Sequence, residues 1–446
     1  MRTTAVGAAL ALLLATACGD DGGGDSSGDS DAGESDGGGG GADAAAGGVG
    51  LIVHVGYLVE GSTTWVVLGD GAEYQKLETT TDAVFPDVRL PQDVHHVQAS
   101  LDGNLTVRSY LAIDAHEIWL EGAGSFTESY DRQLSGTVTS DLEAGTWVAA
   151  GGGTAGLYGV ASAGVGGGGY DIYLHGDALG TVDVVAYQAF SGQAVRAGAV
   201  RGVDLTGEAP VTGVDIEVDH PFDEQLAVTV TDDEPYGGAY KAQLIFTLSG
   251  FVAFWTEGED LPIRVPTPVM DTAMQAVDRY VWVPLGLGDG YDFGPLETAR
   301  MYVKVAPEAG AVTVDALAPF QLHQPAFGLE EDPTIVAAGS LDAITWTADP
   351  EAVQVELRVQ ATGDPNAYEE LCWEIYAPAG LGRAAVPDLP DEVFAGAFLA
   401  PRRYALYMTQ QELAGIDEAI DLYTDPAARA VPGYRNTRRL SFFTVE

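Results

Sequence analysis

Carboxylates gather at four places in this sequence: Glu257, Glu259 and Asp260; Asp289 and Asp292; Asp232, Asp233 and Glu234; and Glu330, Glu331 and Asp332. Calcium collects several oxygens from carboxylates and carbonyls, and loops between strands supply both, so the first two groups are the calcium candidates. The plain alternative is solvated loops on an acidic chain. The seven histidines, His54, His95, His96, His116, His175, His220 and His323, are the candidates for zinc or proton-transfer chemistry. His95 and His96 are adjacent in a β-patterned run, so they face opposite sides and do not share an ion. No His-Glu-x-x-His string occurs, and the two Gly-x-Ser-x-Gly matches, Gly24 to Gly28 and Gly33 to Gly37, fall in a glycine- and aspartate-rich run where composition explains them. His116-Glu117 is an isolated acid–base pair, the first to substitute if the chain is a hydrolase. Gly151-x-Gly153-x-x-Gly156 and Gly164-x-Gly166-x-x-Gly169 match a dinucleotide-binding string, which has meaning only between a strand and a helix. Here glycine and β-pattern follow instead, so composition explains both. Tryptophans stand at 65, 119, 147, 255, 282, 346 and 373; an exposed one would stack on sugar, and one inside a sandwich would be core. The sequence names no catalytic residue and no cofactor other than calcium.

The elements that must carry these residues are strands. Apolar residues alternate at Val53 and Val55, at Val182, Val184 and Ala186, at Val214, Ile216 and Val218, and at Leu226, Val228 and Val230. They do so again at Val353, Val355, Leu357 and Val359. Period-two alternation buries one face and exposes the other, as antiparallel sheets do. Asp-Gly turns at 70–71, 102–103 and 289–290 punctuate the pattern. The expected fold is all-β: tandem antiparallel sandwiches over 49–133, 134–221, 222–332 and 333–446. One helix is expected near the end. Thr409-Gln410-Gln411-Glu412 has capping-box spacing, Leu413, Ile416, Ile420 and Tyr423 recur at helical spacing, and Asp425-Pro426 would end it.

Lys plus Arg number 20 and Asp plus Glu 66, a net charge of −46. Such a surface repels phosphate backbones and argues against a nucleic-acid partner. Arg435, Arg438 and Arg439 form the one basic patch.

The first residues read Met1-Arg2-Thr3-Thr4, an apolar run from Ala5 to Ala17, and Cys18. One positive charge before a short apolar run fits an export signal and is too short to span a bilayer. Leu14-Ala15-Thr16-Ala17-Cys18 resembles a bacterial lipoprotein signal. That resemblance implies cleavage after residue 17, acylation of Cys18 and attachment to a membrane through lipid. Gly19, where inner-membrane lipoproteins of many Gram-negative bacteria have Asp, points to the outer membrane, on its surface or periplasmic face. Residues 18–48 hold Gly, Asp, Ser, Glu and Ala with no larger aliphatic side chain, the composition of a solvated acidic tether. Only one other cysteine exists, Cys372, in the apolar setting Leu371-Cys372-Trp373. With Cys18 acylated, Cys372 is expected as a buried, unpartnered thiol.

Two further resemblances are local. Gly136-Thr137-Val138, Gly169-Tyr170-Asp171-Ile172-Tyr173-Leu174 and Gly180-Thr181-Val182-Asp183-Val184 resemble the carboxypeptidase regulatory-like, transthyretin-type sandwich, with Val214 to Val218 as its closing strand. Domains of that family act as stalks or binding modules. From about Pro333, Ile344-Thr345-Trp346, the Val353 to Val359 strand and Tyr404-Ala405-Leu406-Tyr407 are similar to a fibronectin type III sandwich with an inward tryptophan. Together these features predict a non-enzymatic, surface-anchored lipoprotein that serves adhesion, envelope scaffolding or ligand binding, with an envelope protein or polysaccharide as partner. The alternatives are a carbohydrate-binding lipoprotein and a hydrolase whose site is built from sandwich loops.

Overall fold

The computed structural model describes residues 49–446 apart from 57, 59–60, 70, 79–80, 101–103, 121–129, 153–155, 177, 192, 240, 249, 259–262, 287–297, 363–370, 396–397, 417 and 425–432. Among the described residues the chain is all-β, interrupted by three short 3-10 turns and one single-turn α-helix, Asp421–Thr424. The alternating residues do what their period demands. Val182, Val184 and Ala186 are fully buried, and so are Val355, Leu357 and Val359. Each valine and leucine among them contributes on the order of 1.5–3 kcal/mol by leaving water.

Four sandwiches follow in chain order, over 49–119, 130–221, 224–315 and 321–445. They are closed alike, by an early strand lying parallel to a late one. Val49–His54 pairs with Glu117–Trp119, Tyr130–Thr139 with Ile216–Glu217, Glu224–Thr231 with Ala311–Asp315, and Thr334–Val336 with Tyr434–Val445. A parallel pair cannot be made by a hairpin, so each closure ties chain ends that are distant in sequence. In the second sandwich the closing segment passes close to two strands. A Cβ at Gly136 would meet Val214 O and one at Gly198 would meet Glu217 O, so both positions require glycine.

The first, third and fourth sandwiches share their second layer. It is one 13-stranded sheet. Leu105–Ile113 of the first sandwich pairs in parallel with Leu371–Pro378 of the fourth. Thr298–Val305 of the third pairs antiparallel with Tyr434–Val445 of the fourth. The fourth sandwich therefore lies between the other two in the sheet, although it comes last in the chain. Three-stranded sheets cover the shared layer in turn. In the first sandwich, Leu51, Val53, Phe85 and Ile118 pack toward Val66, Leu68, Val94 and Tyr110. The second sandwich has an eight-stranded sheet of its own, folded across Leu157–Val165. One face of it joins the core of the third, where Tyr187 meets Phe254 at 5.3 Å between ring centres.

Two expectations are corrected. The helix over Thr409 to Tyr423 is confined to Asp421–Thr424, and Thr409 to Leu413 end the strand Arg403–Leu413. That strand is hydrogen-bonded on both sides, to Gln354–Thr362 and to Tyr434–Val445. Two full ladders outweigh a local capping signal. Gln410 is fully buried; its side chain donates to Ala318 O and accepts from Asp349 N. Cys372, expected unpartnered, is disulfide-bonded. The sequence has one other cysteine, Cys18, which lies outside the described residues. No helix among the described residues is long and apolar enough to cross a membrane.

Candidate ligand cleft between the first and fourth sandwiches

Where the first and fourth sandwiches join, the chain leaves a cleft of about 640 Å³. Its lining comes from five stretches far apart in sequence. Ala112 lies near the end of the strand Leu105–Ile113 and Asp114 follows it; Pro350 to Val353 and Pro378 to Gly380 are at turns of the fourth; Glu412, Leu413, Gly415, Ile416 and Glu418 to Ile420 run toward the single-turn helix; and Arg435 stands on Tyr434–Val445. Ala112 holds a left-handed backbone (φ 55°), and its N–H donates to Asp93 Oδ1 at 2.8 Å. A non-glycine residue there is strained by about 1–2 kcal/mol, and the bend carries the chain from the shared sheet toward the cleft wall.

Among the described residues Arg435 is the one cation lining the cleft. It lies directly opposite Glu412 on the neighbouring strand, and its Nε donates to Glu412 Oε2 at 2.9 Å. Its Nη2 donates to Glu351 Oε2 at 2.8 Å. Burial disfavours its charge, but the bonds and charges of Glu412 and Glu351 outweigh this and raise its pKa. Two further carboxylates, Asp114 and Glu418, line the cleft, and among the described residues neither has a cationic partner. Apolar side chains also line it: Ala419 and Leu413 are buried, and Ile416, Ile420, Ala352 and Val353 are half-buried. Ligand sites combine an apolar body with a few convergent polar groups at such junctions.

Apart from Arg435, the charged residues singled out by sequence are not in the cleft lining. Of the calcium candidates, Glu259, Asp260, Asp289 and Asp292 lie outside the described residues. Glu257 is described, and its Oε2 meets Lys241 Nζ at 2.7 Å. Among the described residues no three His, Cys, Asp or Glu are grouped to hold a metal ion. In the acidic run at Asp232, Asp233 Oδ2 accepts from Ala239 N at 2.6 Å and so closes its own turn.

The histidines are committed internally. Glu117 engages His54 rather than His116: His54 Nε2 is 2.9 Å from Glu117 Oε1 and its Nδ1 is 2.8 Å from Asp82 Oδ1. His54 stacks on Trp119, with 4.9 Å between ring centres. Burial disfavours charge on the ring, but the two bonds and the two negative charges outweigh it, and the His54 pKa is raised. His116 is exposed. His220 Nδ1 is hydrogen-bonded to Asp219 Oδ1 at 2.7 Å, and its Nε2 lies 2.9 Å from Asp271 Oδ2 without hydrogen-bond geometry. His95 and His96 are both buried, on opposite faces of Gln92–Ser100 as their adjacency requires. His95 Nδ1 pairs with Ser109 Oγ at 2.8 Å; both ring nitrogens of His96 lack a hydrogen-bond partner.

Of the glycine strings, Gly153 lies outside the described residues; the others lie in and between strands, where Gly164 and Gly166 have positive φ and Gly169 lies within Gly167–Gly176. The basic patch is dispersed, with Arg439 over the Phe327 ring at 4.0 Å and Arg435 in the cleft. Trp373, Trp346 and Trp282 are buried, whereas Trp147 is 36% exposed and stacks on Tyr187 with 5.7 Å between centres.

No protein-family model and no curated protein matches this chain. Three of the solved structures with detectable similarity follow. The CBMbc module (family CBM26) of Eubacterium rectale Amy13K, in complex with maltoheptaose, has 14% identity over 38% of this chain and 94% of that one, with a TM-score of 0.14. The Bacillus anthracis TIE protein has 11% identity over 60% of this chain and 50% of that one, with a TM-score of 0.14. Two B repeat units of the Staphylococcus aureus collagen-binding protein have 9% identity over 81% of this chain and 92% of that one, with a TM-score of 0.13. At these TM-scores the likenesses carry no argument about this chain.

Proposed function

We propose that this chain is a non-enzymatic binding protein held to the bacterial outer membrane by lipid at Cys18, presenting tandem sandwiches to an envelope protein or polysaccharide. The observation that carries the reading is the cleft between the first and fourth sandwiches. Charged groups converge there beside half-buried apolar side chains, as in binding sites. Glu412 and Arg435 stand on paired strands of the shared sheet, which hold the charged part of the cleft more precisely than loops would. His54 has both ring nitrogens hydrogen-bonded to carboxylates and is poorly placed to act as a base. The lipoprotein-like signal supplies the anchor, and the transthyretin-type and fibronectin-like resemblances fit a presenting scaffold.

The test is retention of native envelope components by the full-length acylated chain, compared with Ala352→Trp, which fills the cleft from a half-buried wall position. Retention by the native chain and its loss in the variant support the reading. Retention that Ala352→Trp leaves unchanged overturns the cleft as the site. Repeating the comparison with chelator asks whether calcium takes part.

A second reading rests on Trp147. Its exposed indole, backed by Tyr187, has the form of a sugar-stacking platform. Oligosaccharide-dependent quenching of tryptophan emission that disappears in Trp147→Ala would support it, and equal quenching in both proteins would exclude it.

A further inference from the structure

We infer that His54 is a pH-dependent clasp at the end of the first sandwich's covering sheet: while its ring is doubly protonated the closing strand Glu117–Trp119 stays paired, and once the ring is neutral that strand opens locally. The clasp is independent of the binding function proposed above. It joins three strands that lie across the sheet in the order Asp82–Val88, Val49–His54 and Glu117–Trp119. A neutral imidazole has one N–H and one lone pair, and a carboxylate offers only lone pairs. His54 stands on the middle strand and meets a carboxylate at each nitrogen, Asp82 from one neighbour at 2.8 Å and Glu117 from the other at 2.9 Å. Both contacts are hydrogen bonds only when both nitrogens carry protons. In the neutral ring one of them sets lone pair against lone pair beside a full negative charge. The direction of the ring's pKa agrees: burial lowers it, and the bonds and charges of Glu117 and Asp82 together raise it by more.

Among the described residues, the other titratable groups on the elements packed there are Asp87 on the strand of Asp82, Asp114 and His116 ahead of Glu117, and Asp421 on the helix that packs against Glu117–Trp119. Of these only His116 can carry a positive charge, and it is exposed. Glu117–Trp119 is the strand that yields, because it is three residues long and lies at the edge of its sheet, whereas Asp82–Val88 pairs along most of Val49–His54. Ile52 N donates to His116 O at 2.8 Å and Leu120 N donates to His54 O at 2.9 Å, one bond on either side of the short strand. Opening breaks both and uncovers the N–H of Ile52 and the C=O of His54, an unpaired strand edge. Asp82 and Glu117 are half exposed, so water screens the clasp, and its effect on the opening equilibrium is about fivefold.

Hydrogen exchange of the full-length chain, corrected for the intrinsic rate at each pH, reads this opening at the amides of Ile52 and Leu120. Their protection is expected to fall about fivefold between pH 5.5 and pH 8.5. Protection at Leu205, whose N–H donates to Gly180 O in the second sandwich, should stay constant. His54→Gln should show the weaker protection at both pH values. Glu117→Gln keeps the ring and Asp82 and should flatten the step by itself, so the test stands even where His54→Gln fails to fold. Equal protection of Ile52 and Leu120 at the two pH values in the native chain overturns the inference. So does a step of undiminished size in either variant, or an equal step at Leu205, which would make the change global.

Discussion

Arg108 and Glu374 face each other directly across the parallel join of the first and fourth sandwiches, with Arg108 Nε donating to Glu374 Oε2 at 2.8 Å. Both side chains are nearly out of solvent, at 14% and 7% exposure. Arg108 Nη1 also donates to Gln98 Oε1 at 3.2 Å. A buried pair of this kind specifies register, because sliding either strand by one residue would leave two charges unmatched. Glu374→Leu should therefore destabilise the chain by about 3–5 kcal/mol in urea unfolding, since it strands a buried guanidinium. The double variant Arg108→Met, Glu374→Leu should recover most of that loss. A double variant no more stable than the single would show that the join is held by something else.

His96 lies beside this pair, buried and without a hydrogen-bond partner. Burial, with the nearby Arg108 charge as a smaller cause, pushes its pKa down to about 3. The unfolded ring takes a proton near 6.5, so between those values the unfolded chain binds more protons than the folded one. Stability thus falls as the pH drops through this window, by up to about 1.4 kcal/mol per pH unit. His96→Leu should flatten the acid limb of the stability curve and raise stability at pH 5. His95→Leu should lower stability instead, because it takes a partner from Ser109 Oγ and Gly69 O. Equal pH dependence in native chain and His96→Leu would refute the assignment.

His54 has the opposite sign. Its raised pKa means that the folded chain holds this proton more tightly than the unfolded chain does. The stabilisation is fully present below about 6.5 and is lost as the pH rises through the folded value. Asp82, Glu117 and Trp119 face the ring from the two strands that flank it. His54→Gln should lower Tm more at pH 5.5 than at pH 8.5. A deficit independent of pH, or larger at pH 8.5, would contradict a charged bridge.

Acylation and a disulfide draw on the same sulfur of Cys18, the sequence's one potential partner for Cys372. The anchored protein should therefore carry acyl chains at Cys18 and a thiol at Cys372, alkylated only after denaturation because that position is buried. Mass spectrometry of the membrane fraction distinguishes the forms. A chain bearing the disulfide and no acyl group would contradict the anchor.

Strand identity was legible because alternation is a local property: Val355, Leu357 and Val359 are buried as their spacing says. The helix was overestimated for the same reason. Thr409 and Glu412 have a local capping pattern, and nothing in the sequence reveals that Thr409 pairs with Glu356 on one side and Arg438 on the other. The cleft carries no motif at all, since Ala112 and Arg435 come from opposite ends of the described chain. His54 was unreadable in the same way. Its partners Asp82 and Glu117 come from two other strands, and the adjacent His116-Glu117 pair drew attention instead.

The central claim, that the cleft between the first and fourth sandwiches is where this chain binds, is tested most directly by hydrogen exchange of the full-length protein, with and without a solubilised envelope fraction. The account predicts slowed amide exchange at residues 350–353 and 412–416, and no such change in Ala352→Trp. Protection confined to the second sandwich, around Trp147, with those segments unchanged, would contradict it.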